Sequence, residues 1–258
     1  MSGEPLDRLA ELLGAARSVL VLTGAGVSAD SGLPTYRGVA GLYAGGRTEE
    51  GLPIEEVVSG AMLVSDPGLC WKYLARIGRA CAGAVPNAAH FALAALERRR
   101  ELRLLTQNVD GLHRAAGSRE VVELHGNLDE LICTGCGAGE AAGEEHLRRL
   151  PPRCRRCGAV LRPRVVLFGE DLPPAVLAAL DEVARETWDL ALVVGTTAVF
   201  SYVQFPALRV LDAGGELVEI NPERTVLSGA TTLRLEIGAA DCFRRLAERA
   251  PELFPGIG

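Results

Sequence analysis

"SVLVLTGAGVSA", residues 18–29, joins an unbroken apolar run to two glycines set two apart. A strand buried on one face alternates apolar and polar side chains. A run of Val and Leu without alternation is the pattern of a strand covered on both faces, as in a parallel sheet. The same unit, an apolar run ending in small or polar residues, recurs in "LRLLTQNVDG" (102–111), "VVELHG" (121–126), "RVVLFGE" (164–170), "DLALVVGTT" (189–197) and "ELVEINPE" (216–223). Helical spacing fills the gaps in "LDRLAELLGAA" (6–16), "NAAHFALAALERR" (87–99, with Asn87 as N-cap), "PAVLAALDEVARE" (174–186) and "AADCFRRLAERA" (239–250). Strands and helices in alternation predict an α/β fold with a doubly wound, Rossmann-like parallel sheet.

Two stretches break this rhythm. Residues 38–85 are rich in Gly and then helical, and residues 131–163 carry paired cysteines. Both read as insertions that together form a smaller, zinc-binding lobe. The Rossmann-like domain then takes residues 1–37, 86–130 and 164–258.

Composition sets the outer limits. With 258 residues, 48% of them hydrophobic, the chain can bury a substantial core. Its apolar runs are strand-sized, and its start is polar and then amphipathic, so neither a membrane span nor an export signal is expected. A net charge of −6 disfavours nonspecific nucleic-acid binding. The seven arginines of "RRLPPRCRRCGAVLRPR" (148–164) read as a solvated edge. Of the seven cysteines, four fall in two tight pairs, which suits metal binding in a reducing, cytoplasmic setting better than disulfides.

Those pairs are Cys133–Cys136 and Cys154–Cys157, with 17 residues between them and a glycine after each. Two C-x-x-C turns at this spacing can close four thiolates around one zinc ion. Four sulfurs leave no open position for water or substrate, so the expected zinc is structural. His125 is then not needed as a ligand, and its place at a strand end points it elsewhere. Cys70, Cys81 and Cys242 fall in helical stretches and read as ordinary thiols.

In an open parallel sheet, ligands bind beyond the carboxyl ends of the strands. Here those ends carry "GAG", "QNVD", "H", "FGE", "GTT" and "NPE". Gly24-Ala25-Gly26-Val27-Ser28-Ala29 fits the G-x-G-x-x-A form of the dinucleotide fingerprint, whose glycines admit a pyrophosphate. A dehydrogenase would next place an acidic residue about 20 positions on at a second strand end. Glu49 and Glu50 have the distance but lie in "AGGRTEEGLP", which is no strand, and "SGLPTYRG" (31–38) reads as a loop over the nucleotide. Hydride transfer is disfavoured.

Taken together, "TGAGVSADSGLPTYRG" (23–38), "PNAAHFALAAL" (86–96), "TQNVDGLHRAAG" (106–117), "ELHGNL" (123–128), the four cysteines, "LRPRVVLFGEDLP" (161–173), "LVVGTT" (192–197) and "EINPERT" (219–225) resemble the sirtuin family of NAD-dependent protein deacylases. The resemblance implies NAD as cosubstrate, one structural zinc, and acyl-lysine proteins or peptides as substrates. It implies that Gly24, Ala25 and Gly26 approach the pyrophosphate and that Thr35, Tyr36 and Arg37 form the cofactor loop. Gln107, Asn108, Val109 and Asp110 would line the ribose and nicotinamide pocket, and Gly195, Thr196, Thr197, Asn221, Glu223 and Ala240 would hold the adenosine half. Val166 and Phe168 would flank the acyl-lysine tunnel. His125 matches the family's catalytic base, a role suited to an imidazole whose ordinary pKa is near 6.5. The expected products are nicotinamide, O-acyl-ADP-ribose and free lysine.

Tyr73 and Arg76 stand three apart in "WKYLARIGRA" (71–80) and so share a helix face. They resemble the Y-x-x-R pair of the branch that prefers succinyl and malonyl lysine, where a guanidinium clamps a carboxylate. The chain departs from the family's pattern in "GTTAVFSYVQFPAL" (195–208), where Thr197 replaces a serine and the Pro-Ala is delayed. That leaves the peptide groove beside this segment unassigned. Alternative readings are a mono-ADP-ribosyltransferase or NAD hydrolase of the same fold and a zinc-knuckle binding module. A monomer without membrane or nucleic-acid contact is expected.

Overall fold

A computed structural model describes residues 4–33 and 47–256. Helix α1 (Glu4–Ala15) leads into strand β1 (Ser18–Thr23) and a 3-10 helix over Ala25–Ser31. Helices α2 (Ile54–Val57), α3 (Gly60–Ser65), α4 (Pro67–Ala82) and α5 (Ala88–Glu97) follow. Next come β2 (Glu101–Thr106), α6 (Leu112–Ala115), β3 (Val121–Glu123), β4 (Gly126–Cys133), β5 (Gly139–Ala141) and β6 (Leu161–Val165). The chain then alternates through α7 (Pro174–Arg185), β7 (Leu190–Val194), α8 (Ser201–Asp212), β8 (Glu216–Ile220), β9 (Leu233–Leu235) and α9 (Ala239–Arg249).

Six strands form one parallel sheet in the order β3-β2-β1-β7-β8-β9. Residues of β1 show why its apolar run is unbroken. Val19 and Val21 face a core shared with α1, α5 and α9, whereas Leu20 and Leu22 face a second core with α7 and α8. On α1, Leu6, Leu9 and Leu13 recur at helical spacing on the buried face. Leu9 is fully buried, so Leu9→Ala would cost roughly 2–5 kcal/mol. Asn87 caps α5 as its sequence suggests, accepting from the Ala89 amide at 3.0 Å.

The segment "RVVLFGE" does not join this sheet. Its first residues close β6, which pairs antiparallel with β4 in a separate three-stranded sheet of order β5-β4-β6. The cause is local. After His125 the backbone turns at Gly126, whose φ is 75°, and a Cβ there would lie 2.0 Å from the Arg164 carbonyl oxygen. Only glycine permits that crossing, and it diverts the chain from β3 into β4. The small sheet begins at Gly126 and ends at Val165, so it runs past both ends of the expected 131–163 insertion. Strand β9, too short to read in advance, fills the edge beside β8.

A third core joins α2 and α4 to the small sheet. Ile54, Val57, Trp71, Tyr73 and Leu74 pack there with Leu131, Cys133 and Leu161, and the Trp71 indole donates to the Leu161 carbonyl at 2.8 Å. The two irregular stretches thus share one core. Among the described residues no helix is long and apolar enough to cross a membrane.

Candidate active site and metal knuckle

From β1 the chain moves first toward β2 and β3 and later, in the opposite direction, to β7, β8 and β9. The carboxyl ends of β1 and β7 therefore flank the point where an open sheet reverses its winding, the usual ligand crevice. Here the loops after the two strands touch. The Gly24 amide donates to the Val194 carbonyl at 3.2 Å and the Gly26 amide to the Gly195 carbonyl at 2.8 Å. A Cβ on Gly24 would meet the Thr196 Cβ at 2.7 Å, and one on Gly26 the Gly195 Cα at 2.8 Å. Gly195 itself has φ 59° and would press a Cβ to within 2.4 Å of the Val27 nitrogen. Its glycines are demanded first by loop-to-loop packing, which the fingerprint reading did not include.

Around this contact lies a polar network. Gln107 donates from Nε2 to Thr196 Oγ1 at 2.7 Å, and Asn108 from Nδ2 to Ser28 Oγ at 3.1 Å. Ser28 in turn donates to Asp110 at 2.7 Å, and Asn221 donates to the Thr196 carbonyl at 3.1 Å. Thr23 and Thr106, paired across β1 and β2, share a 2.9 Å hydrogen bond. Below them sit His90 and His113, ring centroids 4.8 Å apart, held neutral by burial that lowers their pKa values to about 4 and about 3. The structure thus brings Gly24, Gly26, Gln107, Asn108, Asp110, Gly195, Thr196 and Asn221 together. Ala25 opens the 3-10 helix beside them, and Ala240 lies in the first turn of α9. Thr197 and Glu223 are exposed beside Thr196 and Asn221. The Val109 carbonyl accepts from the Leu128 amide at 3.2 Å and holds the start of β4. Thr35, Tyr36 and Arg37 lie outside the described residues. Strand-end loops that carry amides, hydroxyls and the Asp110 carboxylate suit a nucleotide bearing phosphates and sugar hydroxyls.

His125 lies two residues past the end of β3, at the rim of this network. Its Nδ1 lies 2.8 Å from the Gln107 carbonyl oxygen and its Nε2 2.8 Å from the Tyr202 hydroxyl. A carbonyl oxygen only accepts, so Nδ1 carries the hydrogen and Nε2 is the basic nitrogen. Burial lowers the imidazole pKa, and the Gln107 carbonyl partly opposes this. At neutral pH the ring is uncharged and able to accept a proton. Phe200 and Tyr202 meet it edge-on at 6.2 and 6.0 Å. The Val166 amide donates to the His125 carbonyl at 2.9 Å, and the Phe168 amide to the Val58 carbonyl at 3.1 Å. This places the segment after β6 between the crevice and the small lobe.

In the knuckle, the sulfurs of Cys133, Cys136, Cys154 and Cys157 all lie within 4.8 Å of one another. The Cys133–Cys157 and Cys136–Cys154 pairs are 3.3 and 3.8 Å apart. A tetrahedron with zinc–sulfur bonds near 2.3 Å needs sulfurs about 3.8 Å apart, so the four are positioned to bind a zinc ion. Amides of Gly135 and Cys136 point at the Cys133 sulfur from 3.3 and 3.4 Å and, with Cys136 foremost, bring its thiol down to about 6. His125 is no part of this set.

Tyr73 and Arg76 share a face of α4, as expected, but their polar groups are already engaged. The Tyr73 hydroxyl donates to Glu50, Arg76 reaches Glu49 at 2.7 Å, and Lys72 bridges both carboxylates at 2.5–2.8 Å. Tyr73 is fully buried. Lys72 chiefly, with Tyr73, holds the Glu50 carboxyl down at about 2. Sequence reasoning missed Thr23 and Thr106, whose bond needs the pairing of β1 with β2. It also missed Tyr202, although Tyr202 lies in the one segment where the chain departs from the pattern it otherwise follows.

Comparison with known proteins agrees with this geometry. The model of the Sir2 family matches residues 24–201. NAD-dependent protein deacylase 2 of Pseudomonas aeruginosa is 52% identical over 244 residues, covering 93% of this chain and 95% of that one. NAD-dependent protein deacylase 1 of Caldanaerobacter subterraneus is 37% identical over 242 residues, covering 93% and 97%. Among solved structures, a Sir2 homologue mutant in complex with 2′-O-acetyl ADP ribose superposes with a TM-score of 0.85 at 38% identity, covering 96% of this chain and 98% of the other. A Sir2–p53 peptide–NAD+ complex gives 0.83 at 31%, covering 96% and 99%. With these similarities spanning sheet, crevice and knuckle, the chain belongs to the Sir2 family.

Proposed function

We propose that this protein is an NAD-dependent protein-lysine deacylase, releasing nicotinamide, O-acyl-ADP-ribose and free lysine. The observation that carries the reading is the neutral imidazole of His125, its Nδ1–H on the Gln107 carbonyl and its basic Nε2 set beside the packed loops that follow β1 and β7. NAD, when bound, supplies a sugar carbon made reactive by nicotinamide as a leaving group. Gly24, Ala25 and Gly26 would lie along its pyrophosphate, and Gln107, Asn108, Val109 and Asp110 along the ribose and nicotinamide. Gly195, Thr196, Thr197, Asn221, Glu223 and Ala240 would hold the adenosine half, with Thr35, Tyr36 and Arg37 as the covering loop. His125 would take a proton from a sugar hydroxyl at Nε2. Val166 and Phe168 would flank the acyl-lysine, and the zinc on Cys133, Cys136, Cys154 and Cys157 would serve as scaffold.

The division into a Rossmann-like domain and a lobe of two insertions belongs to the same proposal, with the small sheet of the lobe running from Gly126 to Val165. So does a cytoplasmic setting, which the use of four cysteines as a metal-binding set supports. The proposal extends to acidic acyl groups. Tyr73 and Arg76 each hold a carboxylate in this structure, which supports their competence for a succinyl or malonyl terminus. Glu49 and Glu50 would have to give way. Paired acetyl and succinyl versions of one peptide test this: a succinyl advantage lost in Arg76→Met is expected, and no advantage rejects the clamp.

The activity itself is tested by mass spectrometry of acyl-lysine peptides incubated with NAD. Loss of the acyl mass with matching nicotinamide release is the expected outcome. Addition of ADP-ribose to the peptide, or nicotinamide release without loss of the acyl mass, would mean a transferase or an NAD hydrolase.

A further inference from the structure

The basic nitrogen of His125 is already occupied. With Nδ1–H committed to the Gln107 carbonyl, the neutral ring has one lone pair, on Nε2, and the Tyr202 hydroxyl donates to it from 2.8 Å. Tyr202 holds this position through its neighbours. Its ring stacks on Phe200 at 5.2 Å with an interplanar angle of 11°, and both rings stand edge-on to the imidazole.

The backbone leading to Tyr202 contains one strained residue. Ala198 has φ 50°, the only left-handed non-glycine among the described residues, a conformation that costs on the order of 1–2 kcal/mol. Helix α8 starts three residues on, at Ser201, and its N-cap Phe200 offers no side-chain hydrogen bond to the first turn. Val199 and Phe200 are each 41% exposed.

We propose that Tyr202 is a positioning residue for His125: its phenol occupies the Nε2 lone pair and yields that lone pair to a sugar hydroxyl of the incoming nucleotide. This rests on the reading of His125 as the base. One O–H···N hydrogen bond replaces another, and the phenol keeps its own proton throughout. Burial, which pushes that phenol up to about 12, favours keeping it. The movement required is small: the ring packs at the edge of the second core, and only its hydroxyl has to leave Nε2. The segment that diverges from the family's pattern thus acquires a role at the base itself.

The test is a double-mutant cycle on ADP-ribose binding, followed by calorimetry, with Tyr202→Phe, His125→Ala and the pair. Phenylalanine keeps the stack and removes only the hydroxyl. With His125 present, Tyr202→Phe is expected to tighten ADP-ribose about three- to tenfold, because no internal hydrogen bond must be broken. With alanine at position 125 the same change should have no effect. Nitrogen NMR of the ligand-free protein supplies a readout independent of binding: the His125 Nε2 resonance should move toward that of an unbonded acceptor in Tyr202→Phe. Weaker or unchanged binding, an equal change in both backgrounds, or an unmoved Nε2 resonance would overturn the proposal. Failure of the base reading is seen separately, as turnover that survives His125→Ala.

Discussion

The knuckle and the crevice are both polar constellations, but they are assembled over different distances along the chain. Sulfurs in the knuckle pair across 24 and 18 residues. In the crevice, Thr23 meets Thr106 across 83, Asn108 meets Ser28 across 80 and Gln107 meets Thr196 across 89. Local spacing can close a metal shell, because two x-x turns suffice to point four sulfurs inward. A crevice that must admit and release a ligand needs groups from several strand ends, which only the sheet brings together. On the proposed reading, one site is closed and serves shape and the other serves chemistry.

The largest effect that would sharpen this contrast is expected from His125→Ala. Turnover on an acyl-lysine peptide should fall about a hundred- to ten-thousandfold, while ADP-ribose still binds. Retained turnover would break the assignment of chemistry to the crevice. Next comes Gly195→Ala. A left-handed alanine pressed against the Val27 nitrogen should cost roughly 2–4 kcal/mol, read from denaturant midpoints. An unshifted midpoint would show that the two loops are not packed as described.

An effect absent at neutral pH comes third and concerns acid. His90 and His113 are buried neutral, with pKa values lowered to about 4 and about 3. Below pH 6.5 the unfolded chain protonates both while the folded chain does not, so stability is lost as pH falls. The expected slope is about 1.4 kcal/mol per pH unit for each histidine, continuing toward the folded values. His113→Asn should remove about half of it. For catalysis the sign is the same. On the proposed reading His125 serves as base only when neutral, and its lowered pKa should set the acid limb of kcat/KM below the usual histidine range.

Least felt at the crevice should be loss of the metal. A chelator should strip one zinc per chain and speed hydrogen exchange in β4 and β6, with β1 and β7 still protected. Equal loss in both sheets would mean that the knuckle supports more than its own lobe.

These distances also decide what could be read in advance. Strand β1, the helices of the parallel sheet and the four cysteines follow from local pattern and spacing. The fate of "RVVLFGE" does not, because Gly126, far off in sequence, fixes its partner strand. Gly24, Gly26 and Gly195 were visible as glycines, but their mutual contact needed β1 beside β7. Tyr73 and Arg76 share the expected face, yet the Glu49 and Glu50 carboxylates that meet them come from another segment. Tyr202 reaches His125 across 77 residues, and no periodicity reports that.

The central claim is that the nucleotide is held at the strand ends and the metal stands apart. Titration of ADP-ribose into the isotope-labelled protein, followed by backbone amide NMR, examines it directly. Perturbations should gather at residues 24–28, 107–110, 125 and 195–197 and spare 133–157. Shifts centred on the cysteines, or none at the strand ends, would contradict it.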